Sequence, residues 1–533
     1  MQFKRFGVML DCSRDAVMRV DEVKKFISYI ARMGYNVLEL YTEDTYEVEK
    51  EPYFGYLRGR YTGKEIKEID GYAREKGVEL IPCIQTLGHF SAPYKAPAYD
   101  TMWDVTNVLM VGEERTYEFV ERLIASCAKN FTSRYINIGM DEAFMLGLGR
   151  YKKKHGVRET VDLMLEHLGK VAAIAAKYGF EAHIWSDMFF RAGNKTYEGE
   201  KGKELLERFR REIPENISLT YWDYQTDKTE VYDEMFTLHK SLNRELWYTG
   251  AAWTWCGFAP LQDYSFKGLL PALQSVEENG VENVLVAMWG DGGKECSFYA
   301  HLPTLYAVRK YADGERDFEK IKSGFKAEFG LDYDGFNLLQ LPNFTEKTNY
   351  GTLSCLCRTA LYQDCFLGVY DEDIRAEGKL YFAETAQKLR NAAPAAREFS
   401  YVFETLAALC EALEYKATIG IRLRDSYQKG DRETLEKVAA DFPKMKERIQ
   451  AFSLAFERLW ERENKPFGWE IHATRLGGLL GRIDYCERKL NAYLRGELTK
   501  IEELEETILP YGYPEEIKFG ENRYSYLISR GIL

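Results

Sequence analysis

Two adjacent carboxylates, Asp141 and Glu142, close the run YINIGM at 135–140. Side-by-side carboxyls at the end of a buried segment suit acid–base chemistry, because like charge and desolvation raise the cost of ionising both. Other polar and aromatic residues follow further apolar runs in the same way. Arg14 follows GVML, Asp44 follows NVLELY, and Gly88-His89 follows VELIPCIQ. Trp185 and Asp187 end EAHIW, while Trp222, Asp223 and Tyr224 end SLTYW. Trp253 and Trp255 follow LWYTGAA, and Trp289 and Asp291 end NVLVAMW. Taken singly, a Trp is more often core than platform, and an Asp after a strand is about as often a helix N-cap. Their joint placement describes a pocket walled by indoles, onto which carboxylates, one arginine and one histidine converge. Pyranose rings fit such a pocket, stacking on the aromatic walls while carboxylates accept from hydroxyls.

Metal chemistry is the rival reading, with His89 beside Asp141, Glu142 or Asp11. The seven His show neither H-x-H nor H-E-x-x-H spacing, so neither a catalytic metal nor another cofactor is expected.

The elements that must position these residues are legible from period. The eight apolar runs alternate with helical segments; Val23, Phe26, Ile27 and Ile30 recur at i, i+3, i+4 and i+7, and Gly34 follows as a stop. Buried strands alternating with amphipathic helices predict a (β/α)8 barrel, whose site lies at the carboxyl ends of the strands. An open doubly wound sheet that bound dinucleotides would place a Gly-rich loop after its first strand, which instead runs into Asp11-Cys12-Ser13-Arg14. Beyond about residue 315 the text becomes long helical stretches, so a barrel over 1–315 and an α-helical domain over 316–533 are expected. Such a domain ordinarily packs and self-associates, and a homodimer through it is expected. The loop Asn464-Lys465-Pro466-Phe467-Gly468-Trp469 either reaches the leaving-group side of an active site or connects two helices with its aromatics inward.

Composition narrows the class further. A net charge of −12 without a basic tract argues against nucleic acid as partner, and the absence of a long apolar run argues against a membrane span. The opening MQFKRFGVMLDCSRD lacks the pattern of a secretory signal, so a cytoplasmic location is expected. Cys355 and Cys357 lack C-x-x-C spacing, and the ten cysteines read as reduced thiols.

The stretch INIGMDEAF resembles the H-x-G-x-D-E signature of family 20 glycoside hydrolases, the β-N-acetylhexosaminidases. The C-terminal half, with NKPFGWE and Arg475-Leu476-Gly477-Gly478, looks like the helical domain of bacterial members that lack the usual N-terminal accessory domain. The resemblance implies hydrolysis of a terminal β-linked 2-acetamido sugar from an oligosaccharide, the substrate's own acetamido oxygen attacking to give an oxazoline. Glu142 is then the general acid and base, and Asp141 holds the acetamido N–H. Arg14 and Asp291 bind sugar hydroxyls, Trp185, Trp222 and Trp289 wall the ring, and His89 supports Asp141; Asp44, Trp253 and Trp255 join the expected binding set from their places at strand ends and not from the resemblance. Three departures stand out: Asn137 replaces the motif's His, Asp291 stands where Glu is usual, and GAAWTWCGF lacks the Tyr that grips the acetamido carbonyl. Tyr224 is the expected substitute, ahead of Tyr248 and Tyr221. Two other functions keep the same pocket: hydrolysis of a different or non-acetylated amino sugar, and sugar binding without catalysis. Activity on a chromogenic glycoside is expected to survive EDTA; a loss restored by Zn2+ or Mg2+ would establish a catalytic metal.

Overall fold

The computed structural model describes residues 3–192, 197–343, 356–371, 374, 378–509, 523–529 and 531; Cys355 lies outside them. Contacts divide the chain into two compact units. The first comprises Met1–Ala252, Ser265–Trp289 and Thr304–Arg316, and the second Trp253–Tyr264, Gly290–Pro303 and Asp317–Leu533.

The first unit is a closed barrel of parallel strands. They are β1 (Arg5–Asp11), β2 (Val37–Tyr41), β3 (Glu79–Cys83), β4 (Tyr135–Asn137), β5 (Glu181–Trp185), β6 (Ile217–Trp222), β7 (Leu246–Ala251) and β8 (Asn283–Met288). β1 closes the ring by pairing with β2 on one side and β8 on the other, in register from Arg5↔Asn283 to Leu10↔Met288. Eight helices alternate with them: α1 (Val20–Met33), α2 (Gly63–Glu75), α3 (Glu114–Asn130), α4 (Thr160–Lys177), α5 (Gly199–Glu212), α6 (Thr229–Ser241), α7 (Gln262–Asn279) and α8 (Leu302–Ala312). The long β3–α3 connection adds a small hairpin, Trp103–Val105 with Val108–Leu109.

Strands β2, β7 and β8 are buried throughout, because barrel interior and helical jacket cover both faces. Towards the strand beginnings, Val37, Ile81, Trp247 and Leu285 pack with Tyr135 into an apolar cluster. A polar pair is also buried in the barrel: Glu39 and His183 approach within 3.1 Å, and the His183 ring stacks on Trp247 at 4.6 Å.

The second unit is helical. Its principal members are α9 (Phe318–Phe329), α10 (Gly378–Ala392), α11 (Ser400–Lys416), α12 (Ile419–Lys429), α13 (Arg432–Glu463) and α14 (Trp469–Leu494). The stretch from Ala383 to Tyr427, helical by period and longer than 25 residues unless breaks divide it, is broken twice. A 3₁₀ turn over Ala393–Phe399, with Arg397 at φ 53, separates α10 from α11, and Ala417 and Thr418 separate α11 from α12. Pro394 removes a backbone donor and so favours the first break. Nine cysteines among the described residues are unpaired and buried. No described helix is long and apolar enough to cross a membrane.

The predicted apolar face of α1 is fully buried at Val23, Phe26, Ile27 and Ile30. Phe26→Ala is expected to cost about 3–5 kcal/mol through the cavity it leaves. Lys24, whose pairing with Glu68 is solvent-exposed, is expected to matter by less than about 1 kcal/mol when replaced by Ala. Thermal unfolding midpoints measure both; equal shifts would contradict the assignment of the buried face.

Candidate active site

The site is organised where β4 stops. Asn137 ends the strand by accepting the Gly139 N–H at 2.9 Å, an Asx turn that imidazole at this position would not reproduce in the same form. Gly139, Met140 and Glu142 all have positive φ, at 72°, 75° and 50°. Two of these are not glycine, so the turn carries backbone strain. Gly139 itself leaves room for a neighbour, since a Cβ there would overlap the Gln85 side chain. Gln85 uses that room: it accepts the Met140 N–H at 3.3 Å and donates to Asp141 Oδ1 at 2.7 Å.

His89 completes the grip. Its Nε2 lies 3.1 Å from Asp141 Oδ2 and 3.7 Å from Glu142 Oε2, and its Nδ1 lies 3.8 Å from Glu43 Oε1. Gly88 precedes it because the backbone passes so close to the Asp141 carbonyl that a Cβ would sit 2.9 Å from that oxygen. Burial works against a charge on His89, but the Asp141 carboxylate outweighs it and the imidazole is pushed up to about 9. Burial likewise works against the Asp141 charge; His89 and the bond from Gln85 overcome it and hold the carboxyl below its usual range. Asp141 is thus an ionised carboxylate with both oxygens engaged. Glu142, next in the chain, has a side chain 45% exposed.

Arg14 reaches this cluster from the end of β1, with Nη2 3.3 Å from Glu43 and Nε 3.6 Å from Asp11. The β2 end contributes Glu43, which pairs with Arg14 and receives the Tyr41 hydroxyl at 3.0 Å. Burial raises the Glu43 carboxyl despite Arg14 and His89. Asp44 is turned elsewhere: it is buried and accepts Arg58 Nε at 3.0 Å. Sequence reasoning therefore missed Glu43, Tyr41 and Gln85. Glu43 differs from Asp44 by one position, and only its left-handed φ of 41° shows which way each points.

The aromatic residues of the barrel unit also gather. Trp289 packs edge-on to Tyr41 at 4.8 Å and lies 6.3 Å from Trp185, which is fully buried. Trp222 stacks on Tyr224 at 5.1 Å, and the Trp289 indole N–H donates to the Tyr224 oxygen at 3.0 Å. Tyr248 is fully buried with its hydroxyl on the Asp223 carbonyl, and Tyr221 donates to the Asp223 carboxylate. Glu142, Asp187, Trp222 and Tyr224 border a cleft of about 460 Å³, with Phe144 and Arg191 on its rim.

Trp253, Trp255 and Asp291 belong to the second unit. Within it, Trp253 and Trp255 stack at 4.0 Å and the Trp253 carbonyl lies 2.9 Å from His301 Nε2. Asp291 opens a loop whose following carbonyls are held by that unit: Arg358 and Arg475 donate to Gly292 O, and His472 lies 2.8 Å from Gly293 O. Trp469, at the end of the predicted loop, packs on Phe456, Trp460 and His472. Among the described residues no group of three or more His, Cys, Asp or Glu is arranged to hold a metal ion.

A buried acid–base cluster at the carboxyl ends of the strands is where a barrel enzyme does its chemistry, and comparison with known proteins assigns the class. Residues 3–236 match the glycosyl hydrolase family 20 catalytic domain, and residues 334–523 match the glycoside hydrolase 20C C-terminal domain. The chain belongs to glycoside hydrolase family 20. A β-hexosaminidase of Vibrio furnissii is 29% identical over 178 residues, covering 26% of this chain and 29% of that protein. Hexosaminidase D of Bos taurus is 25% identical over 258 residues, covering 46% and 66%. The chain thus spans less than two thirds of the length of these relatives. The crystal structure of a β-N-acetylhexosaminidase from Bacteroides fragilis aligns over 61% of this chain and 69% of its own at 21% identity, with a TM-score of 0.48.

The His89–Asp141 pair makes a pH prediction. The raised imidazole contributes stability that is fully present below its unfolded value near 6.5 and is lost as pH rises through about 9. The depressed carboxyl contributes stability above its unfolded value near 3.8, lost as pH falls through the folded one. NMR titration of the His89 ring is expected to give a midpoint near 9, falling in Asp141→Asn, where burial and Arg14 oppose the charge and Glu43 is left to favour it. A midpoint unmoved by that substitution would contradict the pairing.

Proposed function

We propose that the chain is an exo-β-N-acetylhexosaminidase, releasing a terminal β-linked GlcNAc or GalNAc with retention through an oxazoline formed by the substrate's acetamido group. The observation that carries this reading is the state of Asp141. A carboxylate with one oxygen on Gln85 and the other on His89, held ionised, is a poor nucleophile towards an anomeric carbon. It is a good partner for a group that acquires positive charge, which is what the acetamido nitrogen does as its carbonyl oxygen attacks. The names of the relatives, β-hexosaminidase and hexosaminidase D, agree with it.

The remaining steps fall to neighbouring residues. Glu142, which borders the cleft with its side chain 45% exposed, protonates the leaving oxygen and afterwards takes a proton from water. Tyr224, oriented by the Trp289 indole, donates to the attacking carbonyl. Arg14 forks onto vicinal hydroxyls, its charge tempered by Glu43 and Asp11. Trp185, Trp222 and Trp289 close around the ring and acetamido methyl.

Glu142→Gln is expected to lower kcat by about 10²–10⁴ for sugar leaving groups and much less for activated aryl ones. Asp141→Asn and Tyr224→Phe should cut kcat more than they raise KM, since both act on charge present only in the transition state. Paired chromogenic glycosides with and without the N-acetyl group test the whole: equal turnover of both would overturn substrate assistance, and turnover of neither would overturn hydrolysis.

A further inference from the structure

The β5 end carries a carboxyl that the mechanism above leaves unused. Asp187 opens a short helix, Asp187–Ala192, where an acid ordinarily bonds the helix's own N–H groups. Here the side chain reaches across to β4 instead, and Asp187 Oδ2 accepts the backbone N–H of Glu142 at 3.1 Å. The donor belongs to the residue held at φ 50°, so this bond satisfies an amide in a turn that has no ladder partner to offer it. Asp187 Oδ1 is buried, and the Trp222 side chain is the other group that addresses the carboxyl. Ser186 fixes the base of the arrangement by donating to Thr220 O at 3.0 Å, and so ties the start of the helix to β6.

We propose that Asp187 is a positioning residue for the reaction: by holding the Glu142 N–H it keeps the strained turn in the conformation that presents the acid's carboxyl to the leaving group. The inference rests on the reading of Glu142 as general acid. The groups that face Asp187 are Asp141 and Glu142 from the β4 turn and Trp222 from the end of β6. Arg191, one turn along the same helix, lays its guanidinium on the Phe144 ring at 4.0 Å. Burial and the Asp141 charge accordingly push the Asp187 carboxyl up to about 7. The Trp222 side chain also addresses this carboxyl, and a neutral carboxyl still has an oxygen free to accept, so the positioning bond does not require the charge. On ionisation, Asp187 places a negative charge beside Glu142 and opposes loss of the acid's proton.

The side chain of Asn keeps an acceptor and cannot ionise, whereas that of Ala offers neither function. Asp187→Ala is expected to lower kcat by about 10–100-fold, the scale of a misplaced catalytic group. KM should move less, and the loss should grow with the basicity of the leaving group, as in Glu142→Gln. Asp187→Asn should stay within about threefold of the parent at the optimum, the amide oxygen replacing the acceptor. With its charge removed, the alkaline limb of kcat/KM should move to lower pH. The His89 titration, read on each variant, controls for collapse of the site, because His89 touches Asp141 and Glu142 but is not bonded to Asp187. An Asp187→Ala variant with an intact His89 titration and a loss independent of leaving group would overturn the proposal and leave the glycosidase reading standing. So would an Asp187→Asn variant as impaired as Asp187→Ala. Should the parent protein hydrolyse none of the paired glycosides, the glycosidase reading falls and this proposal falls with it.

Discussion

Adjacent residues on a regular strand point to opposite faces, yet Asp141 and Glu142 both take part in one polar cluster. That constraint governs the local structure. Strand β4 is the shortest in the barrel, ending at Asn137, and the next five residues include three left-handed conformations. Each is held by a side-chain acceptor: Asn137, at the start of the turn, takes the Gly139 N–H, and from neighbouring segments Gln85 takes the Met140 N–H and Asp187 the Glu142 N–H. Strain of this kind, costing about 1–3 kcal/mol per residue, persists only where the surroundings over-determine it. Here β3 and β5 flank β4 and supply Gln85 and Asp187.

Charge is the second constraint. Among the described residues, Asp11, Glu43, Asp141 and Glu142 lie around two cationic side chains that they contact directly, Arg14 and His89. Two cations cannot compensate every carboxylate in a poorly solvated site, so ionisation is distributed unequally. Asp141 keeps its charge because His89 and Gln85 address it directly, while Glu43 and Asp187 are pushed towards neutrality. The barrel interior repeats the theme with Glu39 against His183. His183 stands in register with Asn137, so an imidazole does occur beside the motif position, on the neighbouring strand.

The helical unit has its own buried charges. Lys294 pairs with Glu463 at 3.0 Å and Arg358 with Glu295 at 3.0 Å, all essentially without solvent. Removing one partner of such a pair typically costs about 3–5 kcal/mol, because the other charge is left uncompensated. The pairs fix the loop from Gly290 to Ser297, whose carbonyls also receive Arg475 and Arg358. Within this unit Asp291 therefore begins a segment with little freedom, on a backbone shaped by Gly292 and Gly293 at positive φ.

The architecture was legible in the order of residues. Period-2 and period-3.6 apolar patterns are local properties, and they specified eight buried strands, their covering helices and the carboxyl ends where reactive residues collect. Asp141, Glu142, His89, Arg14 and the barrel tryptophans drew notice because their types are unusual at strand ends, and the fold brings Asp141, Glu142, His89 and Arg14 into one polar cluster. The partners of these side chains, by contrast, follow from contacts across the barrel. Nothing in the order Thr-Glu-Asp says that Glu43 and not Asp44 meets Arg14; a left-handed φ and the reach of Arg58 settle it. Gln85 looked like the last residue of a strand, and Asp187 like one more carboxylate at a strand end, its partner unspecified. Each proved to be a partner of the β4 turn, because hydrogen bonds between neighbouring strands join residues about 45 to 56 positions apart, a separation over which local periodicity carries no information.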